Sequence, residues 1–173
     1  INARFSKDKN ILKIPEPIIM KNGSKIMSLI DGSKKMSKSD PNEGSRINLL
    51  DSPEIITKKI KKAKSDSYVG IEFSNPDRAE SRNLLMVYSI LSGKEISQLE
   101  NEFCQIGWGT FKKLIAEQLI ESLEPIQKKY KLLINDPYQL NKILDEGKEK
   151  AEDLANQTLK RVKSKLGFFE MEK

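Results

Sequence analysis

The sequence predicts a mainly α-helical chain joined to the last strand of an α/β sheet. Three observations predict it. From Pro53 onwards, apolar residues recur at three- and four-residue spacing between recognisable helix starts and stops. Before that point lies one short apolar run, Lys25-Ile26-Met27-Ser28-Leu29-Ile30. Between the two sits a lysine-rich loop, Lys34-Lys35-Met36-Ser37-Lys38-Ser39-Asp40-Pro41, introduced by the turn Asp31-Gly32-Ser33.

Residues 1–22 scatter apolar side chains around Pro15 and Pro17. Each proline lacks a donor and pushes its predecessor out of the helical region, so an extended linker is expected. Ile1-Asn2-Ala3-Arg4-Phe5 has neither an initiator Met nor a signal-peptide pattern, and reads as cut from a longer chain. Gly23-Ser24 then turns into Lys25–Ile30, short and apolar enough for a buried strand of a parallel sheet whose other strands would lie upstream. In an open α/β sheet, ligands bind beyond the carboxyl ends of the strands. The loop Asp31–Pro41 would occupy that position.

Asp51-Ser52-Pro53-Glu54 combines a cap, a proline at the first helical position and an acid in the first turn. Ile56, Ile60 and Ala63 line one face of the helix that follows; Lys58, Lys59, Lys61, Lys62 and Lys64 crowd the rest, as either a solvated surface or an RNA-facing stripe. Asn75-Pro76-Asp77 opens the next helix, which buries Leu84, Leu85, Val87, Tyr88 and Leu91 and stops at Gly93. A shorter helix is expected over about Ile96 to Phe103, then a break at Gly107-Trp108-Gly109. From Thr110 a long helix carries Phe111, Ile115, Leu119, Ser122, Ile126 and Leu133 on one stripe, with a kink at Pro125. Asp136-Pro137 starts the last helical stretch, with Leu140, Ile143 and Leu144 apolar. Gly147 is a candidate interruption before Ala151, Leu154, Ala155, Leu159 and Val162, and Gly167 is the stop. These stripes read as core.

Composition narrows the function. The 173 residues suffice for one domain, or a small domain with part of another. A net charge of +6 fits a polyanionic partner and equally a lysine-rich soluble surface. Cys104 is the single cysteine, which excludes an intrachain disulfide and a zinc site of the Cys-Cys type and suits a reducing cytoplasm. It reads as a small buried filler. Histidine is absent, which removes His-based acid–base catalysis and the commonest transition-metal ligand; no metal-binding set is expected. No apolar run approaches the roughly 18 to 20 residues of a membrane helix, so no membrane partner is expected.

The loop itself is the chemical candidate. Three lysines in five residues, with hydroxyls between them, make a compact cationic turn. Lysine is a flexible point charge suited to follow negative charge as it develops on a leaving phosphate. A Lys/Ser loop is also a common solvated turn, and Lys34-Lys35 alone suits a weak localisation patch. A Walker phosphate loop is excluded, because Gly32 is not followed by Gly-Lys-Ser/Thr.

Lys35-Met36-Ser37-Lys38-Ser39 matches, letter for letter, the KMSKS signature of class I aminoacyl-tRNA synthetases. The wider run from Ile26-Met27-Ser28-Leu29 through Lys34 to Asp40-Pro41-Asn42 resembles the version in tryptophanyl-tRNA synthetases. So do Ser81-Arg82-Asn83-Leu84-Leu85 with Tyr88-Ser89-Ile90-Leu91-Ser92-Gly93, then Leu123-Glu124-Pro125-Ile126-Gln127, then Leu144-Asp145-Glu146-Gly147 through Lys150-Ala151. The blocks fall in the same order and cover nearly all of the chain.

This resemblance implies a tryptophan-tRNA ligase: ATP-dependent activation of tryptophan to tryptophanyl-adenylate, then transfer to tRNA(Trp) in protein synthesis. It implies that residues 1–47 are the C-terminal part of a Rossmann-type catalytic domain, and 48–173 an α-helical region recognising the tRNA anticodon, its last helix able to pack back on the catalytic domain. Lys35 and Lys38 would be catalytic, contacting the phosphates, with Lys38 on the leaving pyrophosphate. Met36, Ser37 and Ser39 would shape the loop and contact ATP, Ile26 would touch the adenosine end through its backbone, and Mg2+ would share the phosphate charge. The family is homodimeric, so a homodimer is implied, while the cytoplasmic location is the expectation from the single cysteine. Its second ATP motif, of His-Ile-Gly-His type, and its L-tryptophan pocket are absent here, so the chain is expected to be a C-terminal fragment, inactive alone. The alternatives are a fragment of a tyrosyl-tRNA synthetase, or a non-catalytic helical RNA-binding module.

Overall fold

The computed structural model describes residues 2–5, 11–20 and 23–168, as six α-helices and one 3-10 turn. The helices are α1 (Asn2–Phe5), α2 (Pro53–Lys62), α3 (Ala79–Ser92), α4 (Ile96–Phe103), α5 (Trp108–Ile134) and α6 (Pro137–Leu166), and the 3-10 turn is Glu43–Ser45. The chain divides into two compact units, residues 19–130 and residues 1–18 with 131–173. The boundary expected between residues 47 and 48 falls inside the larger unit.

Local chemistry explains most of the helix ends. Ser52 caps α2, accepting from the Ile55 N–H at 3.4 Å and donating to Glu54 at 2.6 Å, with Pro53 at the first helical position. Helix α3 starts at Ala79 rather than at Asn75–Asp77. Asn75 closes a turn of its own, its side chain accepting from Asp77 N and its carbonyl from Arg78 N. Gly93 ends α3 in the left-handed region, φ 70°. Trp108 and Gly109 belong to the first turn of α5, closed by Phe111 N donating to the Gly107 carbonyl at 3.1 Å, so the expected break shrinks to Gly107. Helix α5 continues through Pro125 and α6 through Gly147.

The core belongs to the larger unit. Leu29, Ile56, Ile60, Ile71, Leu84, Leu85, Leu99, Phe103, Phe111, Ile115, Leu119 and Leu123 form its apolar cluster. Each full burial of such a side chain is worth about 1.5–3 kcal/mol. Tyr88, Phe103 and Phe111 meet edge-on or tilted, with ring centroids 5.3 to 6.0 Å apart. Val87, Tyr88 and Leu91 are only half-buried against this cluster.

Three expectations are corrected. The first concerns Lys25–Ile30, which is not a strand: it makes one antiparallel bridge, Met27 to Lys35, and no strand exists among the described residues to extend it. A parallel strand needs neighbours, and here its backbone is satisfied by other groups. Second, Cys104 is exposed, its Sγ 3.2 Å from the Asn101 carbonyl. It follows the buried Phe103, and one step around a helix turns it outward. Third, helix α6 buries no residue, and Ile143, Leu144, Leu154 and Leu159 are exposed, as is Ile126 on α5. The stripe pattern identified a face without identifying what covers it.

Candidate functional site

The loop is built around the segment that leads into it. Met27 N donates to Asn83 Oδ1 and Asn83 Nδ2 donates back to the Met27 carbonyl, both at 2.8 Å. One amide side chain on α3 thus presents the donor and acceptor that a neighbouring strand would offer. On the other side, Ser28 N reaches the Lys34 carbonyl at 2.7 Å and Met36 N reaches the Ile26 carbonyl at 2.9 Å, so the chain doubles back as a short hairpin. Leu29 N donates to the Ser45 carbonyl, and Lys64 N donates to the Leu29 carbonyl. Every step from Ile26 to Leu29 is tied to another part of the larger unit.

The turn at the base needs a glycine. A Cβ on Gly32 would stand 2.8 Å from the Ala79 carbonyl carbon and 2.9 Å from Glu80 N, at the start of α3. Asp31 organises the turn, accepting from Ser33 Oγ at 2.6 Å and Ser33 N at 3.1 Å, with Lys34 Nζ at 3.3 Å. The Ser33 hydroxyl first, then the Ser33 N–H and Lys34, hold its carboxyl down at about 2. Glu80 is also held below the ordinary carboxylate range, chiefly by Lys64 at 2.8 Å.

The tip is a second turn, with Asp40 N donating to the Ser37 carbonyl at 3.3 Å and the Ser37 and Ser39 hydroxyls 3.1 Å apart. Asp40 is turned to its own backbone, accepting from Asn42 N at 2.8 Å. Lys35 and Lys38 are exposed, and neither has a carboxylate within ion-pair distance among the described residues. Both line a cavity of about 840 Å³, together with Ile26, Met36, Arg46 and Tyr130. Arg46 bridges the far end of the tip, donating from Nη1 to the Asp40 carbonyl at 2.7 Å and from Nε to Asn48 Oδ1 at 3.1 Å.

The structure therefore brings Ile26, Lys35, Met36 and Lys38 to one cavity, with Ser37 and Ser39 on the adjoining tip. Two unneutralised ammonium groups on an anchored turn can bind and stabilise a multiply charged anion. Asn83, Arg46 and Asp31 are the contributors that sequence reasoning did not single out for this site. Asn83 lies inside a quoted block, but its role depends on a contact 56 residues away along the chain. The described residues contain no group of three or more Asp, Glu, Cys or His side chains able to hold a metal ion.

With this geometry in place, the chain can be set beside known proteins. The family model described as tRNA synthetases class I (W and Y) matches residues 1–124, and the chain belongs to that family. Among curated proteins, the tryptophan--tRNA ligase of Prochlorococcus marinus subsp. pastoris is 76% identical over 173 residues, covering 100% of this chain and 51% of the relative. The tryptophan--tRNA ligase of Nostoc sp. is 50% identical over 167 residues, 96% of this chain and 50% of the relative. The crystal structure of tryptophanyl-tRNA synthetase from Mycoplasma pneumoniae superposes with a TM-score of 0.82 at 29% identity, covering 91% of this chain and 48% of that one. The chain spans about half the length of the curated relatives it matches.

Proposed function

We propose that the chain is the C-terminal half of a tryptophan--tRNA ligase and that its lysine loop serves the ATP-dependent activation of tryptophan. The observation that carries this is the pair of exposed lysines, Lys35 and Lys38, without an ion-pair partner among the described residues, on the rim of one cavity in a turn otherwise tied down by hydrogen bonds. In activation, a carboxylate oxygen of tryptophan attacks the α-phosphorus of ATP and the bond to pyrophosphate breaks. The Lys38 ammonium stabilises the charge gathering on the leaving group, and Lys35 holds the phosphates in line. Met36, Ser37 and Ser39 shape the nucleotide side. Ile26 would use its N–H, since its carbonyl already holds Met36. The described residues offer no acidic cluster for Mg2+, so an ion that shares the charge would arrive with the phosphates.

On this reading residues 1–47 complete a catalytic domain and 48–173 contact the anticodon region of tRNA(Trp), in a cytoplasmic homodimer. The hydrogen bond from Arg161 Nε on α6 to the Ile11 carbonyl, 2.8 Å, supports the last helix packing back onto the amino-terminal residues. Relatives named tryptophan--tRNA ligase support tryptophan as the amino acid over tyrosine.

ATP–pyrophosphate exchange tests the proposal, run with tryptophan, tyrosine or neither on a full-length synthetase carrying this sequence and on this chain alone. Exchange with tryptophan only, by the full-length enzyme only, is expected. Exchange with tyrosine would reassign the substrate; exchange with neither, beside salt-sensitive tRNA binding, would make the chain part of an RNA-binding module.

A further inference from the structure

We propose that Arg46 is the positioning residue for the loop lysines, and that the frame it belongs to extends to α5 through Gln127. This rests on the activation role proposed above. The tip carrying Lys38 is held from two ends. At one end Met36 N is fixed to the Ile26 carbonyl; at the other the Asp40 carbonyl accepts from Arg46 Nη1 at 2.7 Å. Arg46 is half-buried and lines the same cavity as Lys35 and Lys38.

The guanidinium is itself fixed. Its Nε donates to Asn48 Oδ1, and Asn48 is clamped by Asp51, with Asn48 N to Oδ2 at 2.9 Å and Asn48 Nδ2 to Oδ1 at 3.2 Å. Asp51 is buried and also accepts from Lys59 Nζ on α2 at 2.6 Å. Burial alone would raise its carboxyl, but Lys59 and Asn48 hold it below the ordinary range. From α5, Gln127 Nε2 donates to the Leu49 and Asp51 carbonyls at 2.8 and 3.0 Å. The lysine tip, the start of α2 and the middle of α5 are thus joined by one run of hydrogen bonds, with Arg46 as its last member before the tip. A planar fork suits this post, because its two donors point in fixed directions at two different acceptors.

Charge stabilisation requires the donor to be in place before the reaction, so an untethered tip would lower turnover more than substrate binding. The test is ATP–pyrophosphate exchange on a full-length synthetase carrying this sequence. Arg46→Ala should lower kcat by about tenfold, the worth of one hydrogen bond from a charged group, with the KM for tryptophan within about twofold. Arg46→Lys should fall between, since an ammonium holds the Asp40 carbonyl without also holding Asn48 in the fork direction. Gln127→Ala should move kcat in the same direction by less. An unchanged kcat in Arg46→Ala, or an equal rise in KM for tryptophan, would overturn the inference.

A readout independent of activity is tryptic cleavage after Lys38, followed by mass spectrometry. It should be faster in Arg46→Ala and restored by Arg46→Lys; equal cleavage in all three proteins would also overturn the assignment. If Arg46→Ala lacks the native circular dichroism spectrum, Arg46→Lys and Gln127→Ala are judged by the same two readouts. If the unsubstituted enzyme exchanges with neither amino acid, the functional reading falls while the tryptic cut still decides the role of Arg46.

Discussion

Two irregular segments of the larger unit, residues 31–41 and residues 64–78, are made from the same materials and end with opposite electrostatics. In the second, the charges of Lys64, Asp66, Glu72 and Arg78 are answered inside the segment or by its support, and only the exposed Asp77 carboxylate is left to solvent among them. Arg78 is buried and holds Asp66 through two nitrogens, at 2.8 and 3.0 Å, the Gly70 carbonyl at 2.8 Å and Glu72 at 3.5 Å. Trp108 Nε1 also donates to Asp66, and Glu100 accepts from Phe73 N and Ser74 N. Gly70 sits at φ 76°, where a Cβ would run into the Cys104 carbonyl. In the first segment, Asp31 and Asp40 are occupied by nearby N–H groups and Lys34, which leaves Lys35 and Lys38 without an ion-pair partner among the described residues. A closed network of charges gives a fixed structural joint. An anchored turn with surplus cations gives a surface for an anion.

The largest effect expected from breaking this contrast is at Arg78. Replacing it with methionine keeps the volume but leaves Asp66 with a buried side and no cation. That should lower unfolding free energy by about 3–5 kcal/mol, seen as a lower urea midpoint at unchanged slope. A loss below about 1 kcal/mol would mean that the network is replaceable and the comparison fails on its structural side.

The functional side is tested by Lys38→Ala in a full-length synthetase carrying this sequence. Removing one preorganised donor to developing charge costs about 100-fold in rate. Exchange should fall by that order, with tryptophan binding and the urea midpoint little changed, because Lys38 has no ion-pair partner among the described residues to lose. Equal losses in exchange and in tryptophan affinity would count against the assignment.

Much of this division was legible in the sequence, and the illegible part has a common cause. The Ser52-Pro53 start and the Gly93 stop are local patterns set by backbone chemistry within a few residues, and the structure has both where expected. Asn83 standing in for a strand, Gln127 reaching Leu49 and Asp66 meeting Trp108 are contacts between residues 42 to 78 apart, and no local pattern encodes them. The Lys25–Ile30 run read as a strand because its composition suits burial, and Leu29 and Ser28 are indeed buried. What composition could not supply was the identity of the hydrogen-bond partners. Helix α6 shows the same gap from the other direction, with a regular stripe and no buried residue.

Acid separates the two segments by a smaller amount. Burial by itself would raise the Asp66 carboxyl, but Arg78, Trp108 and the Tyr68 N–H outweigh it and hold it below the ordinary range. A carboxyl depressed in the folded state contributes stability that is full above its unfolded value and is lost as pH falls through its folded value. For Asp31 that window runs from near 3.8 down to about 2, but about a third of its side chain is open to solvent and the pair is screened there. Asp66 should therefore account for more of the fall in urea midpoint below about pH 4. Asp66→Asn should flatten that fall clearly and Asp31→Asn barely. The reverse order would place the tighter network in the lysine loop.

The smallest effect expected is at Lys34, and it sharpens the comparison most finely. Lys34 is the loop lysine with a carboxylate, 3.3 Å from Asp31, and its side chain is 79% exposed. Exposed pairs of this kind contribute between nothing and about 1 kcal/mol. Lys34→Ala should shift the urea midpoint slightly and lower exchange far less than Lys38→Ala, because the Asp31 turn keeps its two bonds to Ser33. If Lys34→Ala instead matched Lys38→Ala in exchange while leaving stability alone, the distinction between paired and unpaired lysines would be void, and the loop would act through its total charge. In that event raising ionic strength should suppress exchange in the unsubstituted enzyme and in both variants by the same factor, since screening acts on summed charge and not on a single aligned donor.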